Sequence, residues 1–168
     1  MLDEINRLSL FFEDCYREIS VREYARLLNV SPPNASKILK TYEKKQILIQ
    51  RSERGFLFFR INIDNTAVKN LSRVYWEWKI SGLLDFIIKK SFPKSIVLFG
   101  SLSKLEATTD SDIDLAIISS IKKDLDFSYF EKSLKRKIHV VFYESFDKIN
   151  NELKFNILNG YILRGYLS

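Results

Sequence analysis

Two aspartates separated by a single residue, Asp112 and Asp114, are the side chains in this sequence best suited to chemistry. The apolar residues around them predict a β-strand, and side chains at positions i and i+2 of a strand point to the same side. Two neighbouring carboxylates repel each other, so the pair is favourable mainly when a cation lies between them. Oxygen ligands of this kind suit Mg²⁺, which completes its shell with water and substrate phosphate.

A Gly-Ser pair precedes the aspartates and directly follows the apolar run Ile96–Phe99. Gly100 allows the backbone to approach a neighbouring group closely. Ser101 supplies a hydroxyl and an N–H near the predicted start of a helix, where phosphate oxygens are favoured. Together these features predict a site for a divalent cation and a phosphate, and solvated aspartates at a polar strand edge are the alternative.

The spacing between the two pairs is informative, because ten residues, 102–111, separate Gly100-Ser101 from Asp112-Ile113-Asp114. This combination resembles the signature of the nucleotidyltransferases of the DNA polymerase beta superfamily, and it is most similar to the minimal, antitoxin-like members. The resemblance covers about residues 92–168. It includes Asn159-Gly160-Tyr161-Ile162-Leu163, which is similar to the end of their final helix.

The resemblance implies a role for each residue of the motif. Gly100 and Ser101 would bind the triphosphate of a nucleotide. Asp112 and Asp114 would be catalytic and would bind Mg²⁺ or Mn²⁺. Lys104 would contact a phosphate or remain solvated. The implied reaction transfers a nucleoside monophosphate from a nucleoside triphosphate to a hydroxyl and releases pyrophosphate, with a protein side chain, a small molecule and a nucleic acid left open as acceptors.

One position departs from the family pattern. The family has a third Asp on a later strand, and the matching segment here, residues 137–141, carries His139 instead. Three interpretations stay open: His139 acts as the general base, it binds a softer ion such as Mn²⁺, or the site has lost its full metal set and its catalysis. Asp110 and Glu144 are nearby acids that could substitute. The same three interpretations leave open whether the protein is an enzyme.

The elements that must position this motif predict an α+β protein in three parts. Residues 1–64 are predicted to form a helical unit that ends in a hairpin, and residues 65–91 one long linking helix. Residues 92–168 alternate short apolar runs with helical segments. The expected architecture is an N-terminal winged helix-turn-helix followed by a small mixed-sheet, nucleotidyltransferase-like domain.

The first part resembles a winged helix-turn-helix in the order of its elements. After a first amphipathic helix, Ser20 and Glu23 form a capping-box pattern that starts a second helix. Ser31-Pro32 is a typical start for a third helix. Two β-rich runs, 47–50 and 56–61, are joined by a polar turn that contains glycine, which predicts a hairpin.

Basic residues are concentrated in this part of the chain. Residues 31–60 contain seven basic and two acidic residues, whereas residues 92–168 contain eleven and ten. The excess lies on the predicted recognition helix and wing, where a winged helix meets DNA phosphates and groove edges. A solvated helix face or a protein-docking module is the alternative. The candidate DNA-binding residues are Asn34, Ser36, Lys37, Lys40, Thr41, Arg51 and Arg54.

Composition narrows the remaining classes of protein. One cysteine and one histidine exclude a disulfide scaffold and a Cys-based zinc site. No apolar run approaches the ~20 residues of a membrane-spanning helix, so we expect a cytoplasmic protein with no membrane contact. The expected partners are a nucleoside triphosphate and double-stranded DNA, while a protein partner in trans and a homodimer stay open. The alternative function is a DNA-binding transcriptional regulator whose nucleotidyltransferase domain is degraded and only binds nucleotide or mediates assembly.

Overall fold

The protein has an α+β fold with two separate sheets. The computed structural model describes residues 2–121 and 123–167. The chain divides into two compact units. The first contains the described residues up to Leu71 together with Leu105–Thr109, and the second contains Ser72–Lys104 and the described residues from Asp110 onward. None of the helices in the described part of the chain combines the length and the apolar character that a membrane span requires.

The first unit begins with three helices and a very short strand. The Ser20 hydroxyl accepts a hydrogen bond from the Glu23 N–H at 3.2 Å, which confirms the predicted start of the second helix. Ser31 precedes the third helix, and Pro32 occupies its first turn, as the sequence predicts. The elements are α1 (Leu2–Glu13), β1 (Ile19–Ser20), α2 (Val21–Leu27) and α3 (Pro32–Lys44).

A three-stranded antiparallel sheet completes this unit. The strands β2 (Leu48–Glu53) and β3 (Phe56–Ile61) form the predicted hairpin, and β1 pairs with the other edge of β3. The turn residues Arg54 and Gly55 both have positive φ, at 50° and 80°. A two-residue turn with positive φ at both positions has a backbone twist that matches the twist of the paired strands. The helices and the sheet enclose large buried side chains, which include Phe11, Phe12, Tyr24, Leu39 and Phe59.

The prediction of one long helix over residues 65–91 is wrong. The structure has two helices, α4 (Thr66–Lys79) and α5 (Ser81–Ser91), and the boundary between the two units falls within α4. Ile80 lies between them with φ −97° and ψ 12°, outside the helical region, and its side chain is buried. The helix is thus interrupted at a buried residue, although the sequence around it keeps a helical pattern. The predicted domain limits and the linking role of this segment stay predictions.

The second unit contains a four-stranded mixed sheet. Its strands and the helices between them are β4 (Ser95–Phe99), α6 (Gly100–Lys104), β5 (Ile113–Ile118), α7 (Ser128–Leu134), β6 (Ile138–Tyr143), α8 (Asn151–Leu158) and β7 (Tyr161–Arg164). The strand order is β6-β5-β4-β7. Strand β5 pairs antiparallel with β4 and parallel with β6, while β7 pairs antiparallel with β4. Because β5 lies between β4 and β6, its first residues lie between the end of β4 and the start of β6.

The prediction that residues 159–163 form the end of a final helix is wrong. Helix α8 ends at Leu158, and Tyr161 already begins the edge strand β7. Gly160 connects them at a point where an added Cβ would lie 2.6 Å from the Leu98 carbonyl oxygen. The close approach of the chain to β4 therefore requires a glycine here.

Candidate active site

Gly100 and Asp114 meet at the end of β4. Phe99 is the register partner of Asp114 on β5, and Gly100 follows it with φ 71°, which is typical of glycine. A Cβ added to Gly100 would overlap Asp114 Oδ2 and lie 3.1 Å from Cγ. The glycine is needed both for its backbone conformation and for the space that the carboxylate occupies.

We expect Gly100→Ala to destabilise the protein more than Gly55→Ala does. Both glycines have positive φ, and an alanine there costs about 1–2 kcal/mol of backbone strain. Gly55 has no atom within 4 Å of an added Cβ, whereas Gly100 faces the Asp114 carboxylate. The added Cβ would push the Asp114 carboxylate aside, which adds to the loss of stability at Gly100. Urea unfolding of both variants measures the difference, and equal losses would contradict the close packing of Gly100 against Asp114.

His139 lies directly beside Asp114. The two residues are register partners on the parallel strands β5 and β6, and His139 Nδ1 is 3.2 Å from Asp114 Oδ1. The aspartate side chain is 24% exposed and the histidine side chain 63% exposed. Burial raises the pKa of Asp114, the charge of Asp112 raises it further, and the contact with His139 partly offsets both effects. The structure therefore brings both aspartates and the histidine into one electrostatic environment.

The chain just before the aspartates is held by the start of β6. The guanidinium of Arg136 donates a hydrogen bond from Nη1 to the Ser111 carbonyl at 2.6 Å. The Ile113 N–H donates to the Lys137 carbonyl at 2.9 Å. Asp112, between these two anchor points, is exposed at the surface. These bonds fix the backbone of the Asp-x-Asp segment, while the Asp112 carboxylate remains open to a ligand.

The remaining motif residues lie on the short helix α6. Ser101 is half-buried there, and Lys104 donates from Nζ to Asn156 Oδ1 on α8 at 3.4 Å. Arg73, on α4, donates from Nε to the Ser103 carbonyl at 2.9 Å. The sequence did not predict that Arg73 and Arg136 bond to the backbone near the motif. The position of Arg136, in a basic run immediately before the strand that carries His139, is a sequence signal that could have indicated its role.

The alternative acids do not complete a ligand set. Glu144 follows the far end of β6, five residues or about 16 Å from His139 at the rise of a strand, and it forms an ion pair with Lys148. The suggestion that Glu144 could substitute is therefore wrong. Asp110 is exposed in the turn ahead of Asp112. Among residues 2–121 and 123–167, no group of three or more His, Cys, Asp or Glu side chains is arranged to hold a metal ion.

The predicted DNA-binding residues all lie in the first unit. Five of them are on α3, of which Ser36 is half-buried and four are exposed; these four are Asn34, Lys37, Lys40 and Thr41. The Thr41 hydroxyl donates to the Lys37 carbonyl. Arg51, on β2, is held by two carboxylates, with Nη2 2.6 Å from Glu18 Oε2 and Nη1 2.8 Å from Glu53 Oε2. Arg54 is exposed in the hairpin turn.

Comparison with known proteins identifies the second half of the chain. The family model described as "Nucleotidyltransferase domain" matches residues 80–164, which is just over half of the 168 residues. No curated protein and no solved structure matches the chain. The match covers Gly100, Ser101, both aspartates and His139, so the chain belongs to the nucleotidyltransferase domain family.

Proposed function

We propose that the second unit transfers a nucleoside monophosphate from a nucleoside triphosphate to a hydroxyl acceptor. The acceptor oxygen bonds to the α-phosphorus, the bond to the β-phosphate oxygen breaks, pyrophosphate leaves and the hydroxyl loses its proton. The observation that carries this proposal is the position of Asp114, which is packed against Gly100 on one side and contacts His139 on the other. The family match supports the reaction class.

The two aspartates fit a divalent ion by their chemistry. They supply carboxylate oxygens, the charge of Asp112 acts on Asp114, and Mg²⁺ is commonly held by one or two carboxylates plus substrate phosphate. Asp112 and Asp114 would hold Mg²⁺, or Mn²⁺ in its place, and Gly100, Ser101 and Lys104 are the proposed contacts of the nucleotide phosphates. A bound ion would polarise the phosphoryl oxygens and offset the charge that develops on them.

His139 is the proposed general base. When Nδ1 donates its proton to Asp114, the Nε2 atom is left as an acceptor. The ring is largely exposed, so an acceptor hydroxyl can reach it. In this role Asp114 also orients the imidazole, which is the arrangement expected of a histidine base.

A second candidate function follows from the same residue. His139 carries no negative charge where the family has a carboxylate, so it offers less compensation for the charge of a metal ion. The second candidate is a DNA-binding regulator whose nucleotidyltransferase domain binds nucleotide or mediates assembly without transfer.

A transfer assay with His139→Asp separates the two candidates. The full chain is incubated with α-phosphate-labelled nucleoside triphosphates, with Mg²⁺, Mn²⁺ or a chelator, and with oligonucleotide, protein and polyol acceptors. If His139 is the base, wild type transfers label only with a divalent ion, and His139→Asp lowers the rate at least about tenfold. If the domain is degraded, wild type transfers none, and His139→Asp gains metal affinity or activity.

We further propose that the first unit is a winged helix-turn-helix that binds double-stranded DNA. The order of α1, α2, α3 and the β2–β3 hairpin supports this, and Lys37 and Lys40 on α3 and Arg54 in the hairpin turn are exposed cations. Asn34, Ser36 and Thr41 are the other proposed contacts on α3. A protein partner in trans and a homodimer stay predictions.

Salt-dependent binding tests the DNA proposal. We expect Lys37→Ala/Lys40→Ala/Arg54→Ala to weaken duplex binding and to reduce the slope of log affinity against log salt by about 0.9 per lost phosphate contact. Arg51→Ala is the control, because Glu18 and Glu53 already neutralise this guanidinium, and its effect should be smaller. Undiminished binding of the triple variant would show that this face does not contact DNA.

A further inference from the structure

A basic cavity of about 400 Å³ lies in the second unit, where α7 connects to β6. Four of the side chains that line it are cationic and one is a carboxylate, so the cavity favours an anionic ligand. The lining residues are Ser128, Glu131, Lys132, Lys135, Arg136 and Lys137. Neither Gly100 nor Ser101 is among them.

The cavity is adjacent to the aspartate pair. Arg136 reaches the Ser111 carbonyl, and the Lys137 carbonyl accepts from the Ile113 N–H, so the cavity wall is bonded to the backbone on both sides of Asp112. Strand β5 lies between β4 and β6 in the sheet. Gly100, at the end of β4, and the cavity, at the start of β6, are therefore on opposite sides of Asp114.

Arg136 is anchored in the cavity wall, and the three lysines beside it are exposed. Arg136 is only 7% exposed, and its guanidinium lies 4.9 Å from the centre of the Trp76 ring. Glu131 Oε1 accepts a hydrogen bond from the Ile138 N–H at 3.0 Å, so the one carboxylate is directed to the backbone. Lysines near a helix C-terminus are favourable by themselves. That effect does not account for Lys137, which lies just before the start of β6.

We propose that this cavity binds the phosphate backbone of a single-stranded nucleic acid whose terminal hydroxyl is the acceptor. The inference rests on the proposed transfer reaction and names its acceptor class. A protein hydroxyl or a neutral polyol would gain little from the three exposed lysines of the cavity, whereas successive phosphates pair with them. The side of Asp114 that carries Gly100 is assigned to the triphosphate, so the cavity on the other side is left for the acceptor. A single strand allows the terminal hydroxyl to reach His139 and the half-buried Asp114.

Binding of a fluorescent single-stranded oligonucleotide with a free 3′-hydroxyl tests the proposal. We expect Lys132→Gln/Lys135→Gln/Lys137→Gln to weaken binding to the full chain at least about tenfold near 0.1 M salt. The slope of log affinity against log salt should fall by about 2, at roughly 0.7 per single-strand phosphate contact.

The matched control is Lys89→Gln/Lys90→Gln/Lys94→Gln, which removes three exposed lysines of the same unit. Lys94 precedes β4, at the opposite end of the sheet from Gly100. Equal binding by the two triple variants would overturn the proposal.

Two further measurements separate this inference from the proposed transfer. Thermal unfolding shows whether the triple variant is folded, and Lys137→Gln alone provides a milder change with a smaller expected loss. The triple variant and Lys137→Gln should both bind a labelled nucleoside triphosphate with the affinity of wild type. If instead they lose nucleotide binding and keep oligonucleotide binding, the cavity belongs to the triphosphate and the inference is overturned. If wild type binds the oligonucleotide through the three lysines but transfers no label, the transfer proposal fails and the binding site stands.

Discussion

Asp112→Asn/Asp114→Asn is expected to reduce nucleotide transfer at least about a hundredfold. Asparagine keeps the shape of each side chain but removes both negative charges, so the pair no longer holds a divalent ion. The stabilisation that a metal ion gives to phosphoryl transfer is several kcal/mol, and each 1.36 kcal/mol corresponds to a factor of ten in rate. Transfer of α-phosphate label at saturating Mg²⁺ measures the loss. A double variant that keeps most of the wild-type rate would contradict the assignment of the two aspartates.

Asp110→Asn is the matched control for this experiment. It removes one carboxylate from an exposed position two residues before the pair. Surface substitutions usually change stability by no more than about 0.5 kcal/mol, so the variant should stay folded. Because the proposed ion is held by Asp112 and Asp114, its transfer rate should stay close to that of wild type.

The free energy of unfolding separates a chemical effect of the aspartate variants from loss of the folded state. Because the folded state raises the pKa of Asp114, ionised Asp114 disfavours folding, and this effect grows as the pH rises through the folded-state pKa. Asp114→Asn should therefore be at least as stable as wild type at pH 7 without metal, and below the unfolded-state pKa this advantage should vanish.

Trp76→Ala is expected to cause the largest loss of stability, about 3–5 kcal/mol. Trp76 is fully buried, its ring packs edge-on against Tyr75 at 5.1 Å between centres, and Arg136 and Lys79 lie over it at 4.9 and 5.3 Å. Burial lowers the pKa of Lys79 to about 8, with Arg136 adding a smaller effect in the same direction. Removal of the indole would leave a cavity beside these cations. Denaturant unfolding monitored by circular dichroism gives the free-energy difference.

Two substitutions control for this result. Trp78→Ala removes the same side chain from a position that is 54% exposed, and we expect a change within about 0.5 kcal/mol. Trp76→Phe keeps most of the buried volume. The Trp76 Nε1 atom has no hydrogen-bond partner in the described part of the chain, so the substitution removes no such bond there. The loss in free energy of unfolding should therefore stay below about 1.5 kcal/mol. If the alanine variants of Trp76 and Trp78 unfold alike, the indole of Trp76 is not a central packing element.

Local features of the fold could be read from short stretches of sequence. The Ser20 cap, the β2–β3 hairpin and the buried strand β4 depend on residues that are neighbours in the chain, and all three are present. The strand-helix-strand order around Gly100 was also predictable, because an apolar run, a Gly-Ser pair and a second apolar run follow each other directly. The interruption at Ile80 was not predictable, because the helical spacing of apolar residues continues across it.

The motif is evident from the sequence alone: Gly100 and Ser101 are separated by ten residues from an Asp-x-Asp pair, and His139 takes the place of a third carboxylate. The side chains that surround this motif follow from the fold. The parallel register of β5 and β6 brings His139 to Asp114 and carries Glu144 away from it, and the burial of Arg136 against Trp76 forms the wall of the basic cavity. Contacts of this kind join residues 25 to 60 positions apart in the chain. Local patterns of charge and hydrophobicity carry no information about such pairings, because strand order and core packing establish them.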